Sequence, residues 1–355
     1  MIFDEIIHGW YEKNKRDLPM RQTRNPYRTW VAEVIMQQTR MDQGLPYLQN
    51  FLESFPDIHS LASATEDEVL RQWQGLGYYS RARNLHASAT YVVEQMDGIM
   101  PDSYKGLLAL KGVGKYTAAA IASWCYNEAC VAVDGNVSRV IARLFGIEDA
   151  INTPKGEKQV YAMAGELMDQ SDPATHNQAM IEFGALLCVP VSPSCGLCPL
   201  QELCEANRQG LVDQIPFKIK NKKPVDRWFY YYMIISHGET ILIQRGKKDI
   251  WEGLYELPMI ESEAPLGDEE ILQKIPRLIL QESEPRYNKD MGIGTLSAPV
   301  RHQLSHQTIH ARFLQVQMDL LPYPLPEKWQ SVPLEQLDRY AMPRLIHRYL
   351  ESSNF

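Results

Sequence analysis

Residues 110–118 read Leu110-Lys111-Gly112-Val113-Gly114-Lys115-Tyr116-Thr117-Ala118. Two glycines one residue apart let the backbone turn sharply and approach a ligand closely. The run from Lys115 to residue 127 has helical spacing. A helix that opens directly out of a glycine turn presents unpaired amides to whatever lies before it, and phosphate suits that position. By itself the pattern also fits an ordinary helix–helix turn, so the flanking sequence has to decide.

Helical signals fill the first 210 residues. Asn25-Pro26 ahead of Tyr27–Thr39 is a cap followed by proline at the first helical position, and segments 65–74, 79–96, 136–145, 155–169 and 174–187 also show helical spacing. Two carboxylates stand out. Glu33 sits within Trp30-Val31-Ala32-Glu33-Val34-Ile35-Met36. Burial there would raise its pKa and make it a proton donor near neutral pH, whereas a partly exposed helical glutamate would be unremarkable. Asp134 opens Asp134-Gly135-Asn136-Val137 and reads most simply as an N-cap. That position also suits an ionised carboxylate facing developing positive charge.

Four of the six cysteines follow the spacing Cys188-x6-Cys195-x2-Cys198-x5-Cys204. Thiolates this close in sequence can surround one metal centre, and clustering within one segment is not the pattern of a secreted disulfide scaffold. Zinc is the first rival, but its ribbons usually place two Cys-x2-Cys pairs far apart.

Past residue 210 the composition changes. Residues 211–225, with Ile215-Pro216-Phe217-Lys218-Ile219-Lys220-Asn221-Lys222-Lys223-Pro224, read as a linker. Trp228–Ser236 is a dense β-type run, His237-Gly238-Glu239 a turn, Thr240–Gln244 a second strand and Ile309–Met318 another. Pro343–Glu351 reads as a helix, so this half is α+β. The expected domains are 1–210 (helical, hairpin at about 107–127, cysteine loop 188–204), the linker 211–225, and 226–355.

The net charge is −8. Residues 1–225 hold 22 Lys+Arg against 26 Asp+Glu, and residues 226–355 hold 14 against 18, so each half carries −4. Bulk charge therefore argues against nucleic acid, and any affinity for it must come from hairpin amides, helix N-termini and a few placed cations. Lys218, Lys220, Lys222 and Lys223 form one basic run, a solvated linker or a phosphate contact. No apolar run reaches membrane-spanning length and the acidic start is not a secretory n-region, so no membrane partner and a cytoplasmic location are expected.

Together these segments resemble the MutY adenine DNA glycosylases over nearly the whole chain. Residues 110–118 resemble the helix-hairpin-helix DNA-binding motif, with Lys111 where proline is usual. The cysteine spacing, stiffened by Pro193 and Pro199, resembles the [4Fe–4S] loop of endonuclease III and MutY enzymes, which implies that cluster as cofactor. Glu33-Val34-Ile35-Met36-Gln37-Gln38-Thr39 resembles the motif that carries the family's catalytic acid, and Val133-Asp134-Gly135-Asn136-Val137 the segment bearing its catalytic aspartate. Arg16-Asp17-Leu18-Pro19, Gly75–Arg83 and Asn177-Gln178-Ala179-Met180 match further family motifs.

The resemblance implies roles. Gln38 would wedge into the base stack and Tyr78 would intercalate beside the orphan base. Arg21 and Gln178 would contact a flipped adenine, with Trp30 and Met36 lining its pocket. Met20 stands where tryptophan usually follows Pro19. Tyr116 occupies the place of the Schiff-base lysine of endonuclease III and cannot do that chemistry. The C-terminal half resembles the MutT-like domain that reads 8-oxoguanine. It lacks the Nudix metal box after Gly253, so no pyrophosphatase activity is expected. His302-Gln303-Leu304-Ser305-His306 resembles the lesion-sensing loop, with Leu304 where phenylalanine is common.

The implied protein is a monomeric, monofunctional glycosylase: an all-α helix-hairpin-helix core with a cluster loop, joined to an α+β Nudix-like domain. Its substrate would be double-stranded DNA with adenine opposite 8-oxoguanine or guanine. A bifunctional pyrimidine glycosylase/lyase, a catalytically silent iron–sulfur DNA-binding module and a Nudix hydrolase are the alternatives.

Overall fold

A computed structural model describes residues 2–220, 223–274, 292–321 and 325–352. The helices are α1 (Ile2–Asn14), α2 (Pro26–Met36), α3 (Met41–Ser54), α4 (Ile58–Ser63), α5 (Glu66–Gln72), α6 (Ser80–Met96), α7 (Tyr104–Leu108), α8 (Lys115–Tyr126), α9 (Gly135–Phe145), α10 (Pro154–Glu166), α11 (Pro173–Leu186), α12 (Glu205–Gln209), α13 (Asp268–Gln273) and α14 (Arg344–Ser352). Their starts obey local chemistry. Asn25 accepts the Arg28 amide at 3.0 Å ahead of Pro26, and Asp57 with Ser60 forms a capping box.

The chain divides into two compact units. One comprises Met1–Ala64 with Arg83–Lys220, the other Thr65–Ala82 with Asn221–Phe355. This departs from a simple split at the linker. Residues 65–82 join the C-terminal unit through side-chain contacts: the Tyr255 hydroxyl donates to Asp67 at 2.8 Å, and the Tyr78 hydroxyl is hydrogen-bonded to Ser305. Residues 211–217 are not a free tether. Ile215 is fully buried and Leu211, Val212 and Phe217 pack against the helical core, since apolar side chains gain by leaving water wherever a surface is in reach. Lys218, Lys220 and Lys223 are exposed, and Lys222 lies outside the described residues.

The helical core is built from α1, α9, α10 and α11, with Ile7, Val140, Ile141, Val160 and Phe183 at its centre. In the other unit the strands are β1 (Val225–Ser236), β2 (Glu239–Gln244), β3 (Tyr255–Glu256), β4 (Met259–Ser262), β5 (Gly292–Ile293), β6 (Val300–Gln303), β7 (Gln307–Gln317) and β8 (Trp329–Pro333). They form one mixed sheet ordered β3-β2-β1-β7-β5, with β4 on β1, β6 on β7 and β8 on β2. β1 and β7 run parallel from Val225↔Gln307 to Ile235↔Gln317. Phe229, Tyr231, Met233 and Ile235 face a core that includes α14, while Tyr230, Tyr232 and Ile234 face one that includes α13. Burial on both faces explains why β1 reads as an unbroken apolar run instead of an alternating one.

Candidate active site

Along α2, Thr29, Ala32, Glu33 and Met36 fall on one stripe at helical spacing, and that stripe forms one wall of a cavity of about 190 Å³. Arg21, Tyr116, Asp134 and Gln178 complete it, and Met20 lines its rim. The volume lies below the roughly 300–1,000 Å³ of drug-sized pockets. It suits one flat base. A wider groove of about 550 Å³ along Leu45, Leu48 and Leu52 shares only Met20 with it.

Burial raises the Glu33 carboxyl to about 7; a hydrogen bond with the Tyr116 hydroxyl opposes the rise, the Asp134 charge adds to it and Arg21 reduces it. Tyr116 is itself pushed far above the usual phenol range, by burial and then by the charges of Glu33 and Asp134, so it remains a hydroxyl donor. Asp134 caps α9. Its carboxylate accepts the Asn136 and Val137 amides, each at 2.8 Å, and the Asn136 side-chain amide at 2.7 Å. Burial raises its pKa, and those same donors restrain the rise. The two acids share one cavity but differ in their donors: Glu33 bonds the Tyr116 hydroxyl, while Asp134 accepts two backbone amides and one side-chain amide.

Arg21 is fixed from behind. Glu182, fully buried on α11, accepts its guanidinium at 2.9 Å and also pairs with Arg16. Burial pushes the Glu182 carboxyl up, but the bonds from Arg16 and Arg21 outweigh it and hold the group at about 2. Sequence reading missed Glu182, although a lone glutamate in the apolar Met180-Ile181-Glu182-Phe183 was a usable signal. Gln178 reaches the cavity, while neighbouring Asn177 turns into the core, bonding Ser123 and the Cys130 carbonyl.

Trp30 is fully buried and is not among the residues that line this cavity. Met20 lines the cavity instead.

The hairpin at 110–114 behaves as a glycine turn requires. Gly112 has φ +80°, and a Cβ there would come within 2.6 Å of the Asn84 Cβ. Gly114 precedes α8 with no side-chain cap, which leaves the helix amides available. Lys115 pairs with Glu157 at 2.8 Å and is not part of the cavity lining. Gln38 and Tyr78 are both exposed and both sit at positive φ, 56° and 48°, so each side chain is held out from its turn.

Cys188, Cys195, Cys198 and Cys204 line one small cavity. Among the described residues no three His, Cys, Asp or Glu side chains converge closely enough to hold a single metal ion. The four thiols face one cavity, as a cluster bridged by four thiolates requires. Arg143, fully buried, donates to the Cys188 sulfur at 3.4 Å and to the Val189 and Pro190 carbonyls, and Arg139 donates to the Cys188 carbonyl at 2.7 Å. These arginines, one turn apart on α9, tie the loop to the helix that Asp134 caps. Sequence reading missed both.

In the sheet unit, His302 ends β6 with Gln303, and the turn closes with the Leu304 amide donating to the Gln307 carbonyl at 2.8 Å. Leu304 packs against the core while Ser305 and His306 are exposed.

Comparison with known proteins fits this arrangement. Residues 31–166 match the HhH-GPD superfamily base excision DNA repair proteins, 188–204 the iron–sulfur binding domain of endonuclease III, and 230–352 the NUDIX domain. A thermostable thymine-DNA glycosylase superposes with TM-score 0.55 at 27% identity, covering 59% of this chain and 96% of that one. The helical unit and its hairpin are thus those of a helix-hairpin-helix DNA glycosylase, and the four thiolates hold a [4Fe–4S] cluster. An adenine DNA glycosylase of Buchnera aphidicola subsp. Acyrthosiphon pisum is 29% identical over 99% of this chain and 97% of its own length. One from the subspecies Baizongia pistaciae is 31% identical over 87% of this chain and 84% of its own. The chain belongs to the adenine DNA glycosylase family.

Proposed function

We propose that this protein is a monofunctional, monomeric glycosylase that removes adenine paired with 8-oxoguanine or guanine in duplex DNA of the cytoplasm. The observation that carries the reading is the Glu33–Tyr116–Asp134 constellation: a carboxyl at about 7, bonded to a phenol, in one cavity with a helix-capping aspartate.

A base inside a duplex must leave the stack before its glycosidic bond can be reached, and a mispair lowers that cost, which is a few kcal/mol. Gln38 and Tyr78 fill the space vacated. Arg21 and Gln178 hold the flipped base. Neutral Glu33 then gives its proton to N7, the C1′–N9 bond breaks and its electron pair leaves with adenine. The sugar becomes an oxocarbenium ion that the Asp134 carboxylate stabilises. Water adds at C1′, and its proton returns to Glu33. Tyr116 keeps the two acids in register. No amine lines the cavity at position 116, which supports base removal without strand cleavage. The hairpin amides at Gly112 and Gly114 bind phosphate, and the 302–306 turn reads the opposite base. The cluster, held by Cys188, Cys195, Cys198 and Cys204, would act structurally and in binding DNA and takes no part in base removal.

The test is single-turnover adenine release from a duplex with adenine opposite 8-oxoguanine, with and without alkali. Strand breaks only after alkali are expected. Breaks without alkali would indicate a lyase and overturn the monofunctional reading.

A further inference from the structure

Trp251 has φ +60°. A bulky aromatic residue in the left-handed region is a genuine outlier, and such strain persists only where surrounding contacts impose it. Here they do. Arg245 donates to the Ile250 carbonyl at 2.9 Å, and its backbone closes the loop at both ends through the Leu254 carbonyl and the Gly253 amide. Its guanidinium pairs with Asp249 at 2.5 Å and with buried Glu256 at 2.7 Å. Asp249 is gripped again by Arg227, at 2.7 and 2.9 Å.

The strained loop has two outlets, and both reach the same turn. The Trp251 ring lies 5.9 Å from the His302 ring, at the entry to the 302–306 turn. Arg227 donates to the Gln307 side chain at 3.0 Å, at its exit. A turn with two exposed residues at its tip is thus braced on both sides by one charged network.

We propose that Trp251 is a positioning residue for recognition of the base opposite adenine: through His302 it sets the 302–306 turn for 8-oxoguanine and leaves guanine recognition unaided. The inference rests on the reading that this turn faces the opposite base. Because Trp251 also packs against the sheet core, the test has to separate geometry from stability.

The experiment measures single-turnover adenine release opposite 8-oxoguanine and opposite guanine, with thermal melting alongside. Trp251→Leu is expected to slow release opposite 8-oxoguanine by about tenfold and to leave release opposite guanine unchanged. Trp251→Phe, which keeps a ring against His302, restores the ratio. Asp249→Asn loosens the loop without removing the ring, should lower the ratio in the same direction, and decides the matter if the leucine variant does not fold. An unchanged ratio, or equal losses on both substrates, overturns the brace. Ser305→Ala is the separate control. If it leaves the ratio intact, the turn does not read the opposite base, and both the reading and the brace fall.

Discussion

The cavity of the helical unit and the strained loop of the sheet unit each hold a carboxylate whose acidity is displaced, Glu33 upward and Asp249 downward. Glu33 forms no salt bridge among the described residues, and burial lifts it to about 7. Asp249 is gripped by Arg227 and Arg245 and held at about 2. Glu182, in the same unit as Glu33, follows the second pattern. An unpaired acid is costly to keep but can move a proton at neutral pH; a paired one can only hold geometry. Chemistry lies where pairing is withheld.

Removing the unpaired acid should have the largest consequence. Glu33→Gln is expected to lower single-turnover adenine release by about a thousandfold while mismatch binding persists in a gel-shift assay. Appreciable turnover by that variant would remove the contrast altogether. Next come the paired acids. Glu182→Gln strands Arg21, and Arg245→Leu strands buried Glu256, each at a cost of about 3 kcal/mol in denaturant unfolding. Only the first should also slow release opposite guanine. If both slow it equally, pairing in the sheet unit has a catalytic role.

A backbone change sharpens the picture further. Gly112→Ala forces a Cβ into φ +80° and toward Asn84, which should cost about 1–3 kcal/mol and weaken duplex binding without moving the pH profile. The smallest expected effect is that profile. Base removal needs neutral Glu33, so the rate should fall above pH 7 by about tenfold per unit. The sign for stability is the same. The folded pKa of about 7 exceeds the ordinary 4.5, so the folded state holds more protons between those values and loses stability as pH rises through that window. Glu33→Gln removes this loss and should melt higher than the parent at pH 8. A rate that is flat to pH 9 would show that Glu33 is not the proton donor.

The elements that follow from local rules could be read early. The glycine turn, the Asp134 cap, the cysteine spacing and the run of β1 each declare themselves within a few residues. The short strands β3, β4, β6 and β8 did not, since two to five residues carry too little periodicity. Nor did the assignment of 65–82 to the sheet unit, which depends on Asp67 and Tyr78 meeting residues more than 170 positions away. Trp30 is expected from its motif to line the pocket, yet it is fully buried and absent from the residues that line the cavity.

By itself the sequence determined which groups this protein owns: an acid in an apolar helix, a capping aspartate, a phenol in place of an amine, and four thiols in one loop. Tertiary structure alone decided what those groups can do. The pKa of Glu33 depends on its burial in the folded core, Arg21 is aimed by a glutamate some 160 residues away, and Cys188 is held by two arginines of α9. Local rules act through neighbouring dihedral angles and capping bonds, which a sequence encodes directly. Solvation and charge act through space, and only the folded chain defines the distances.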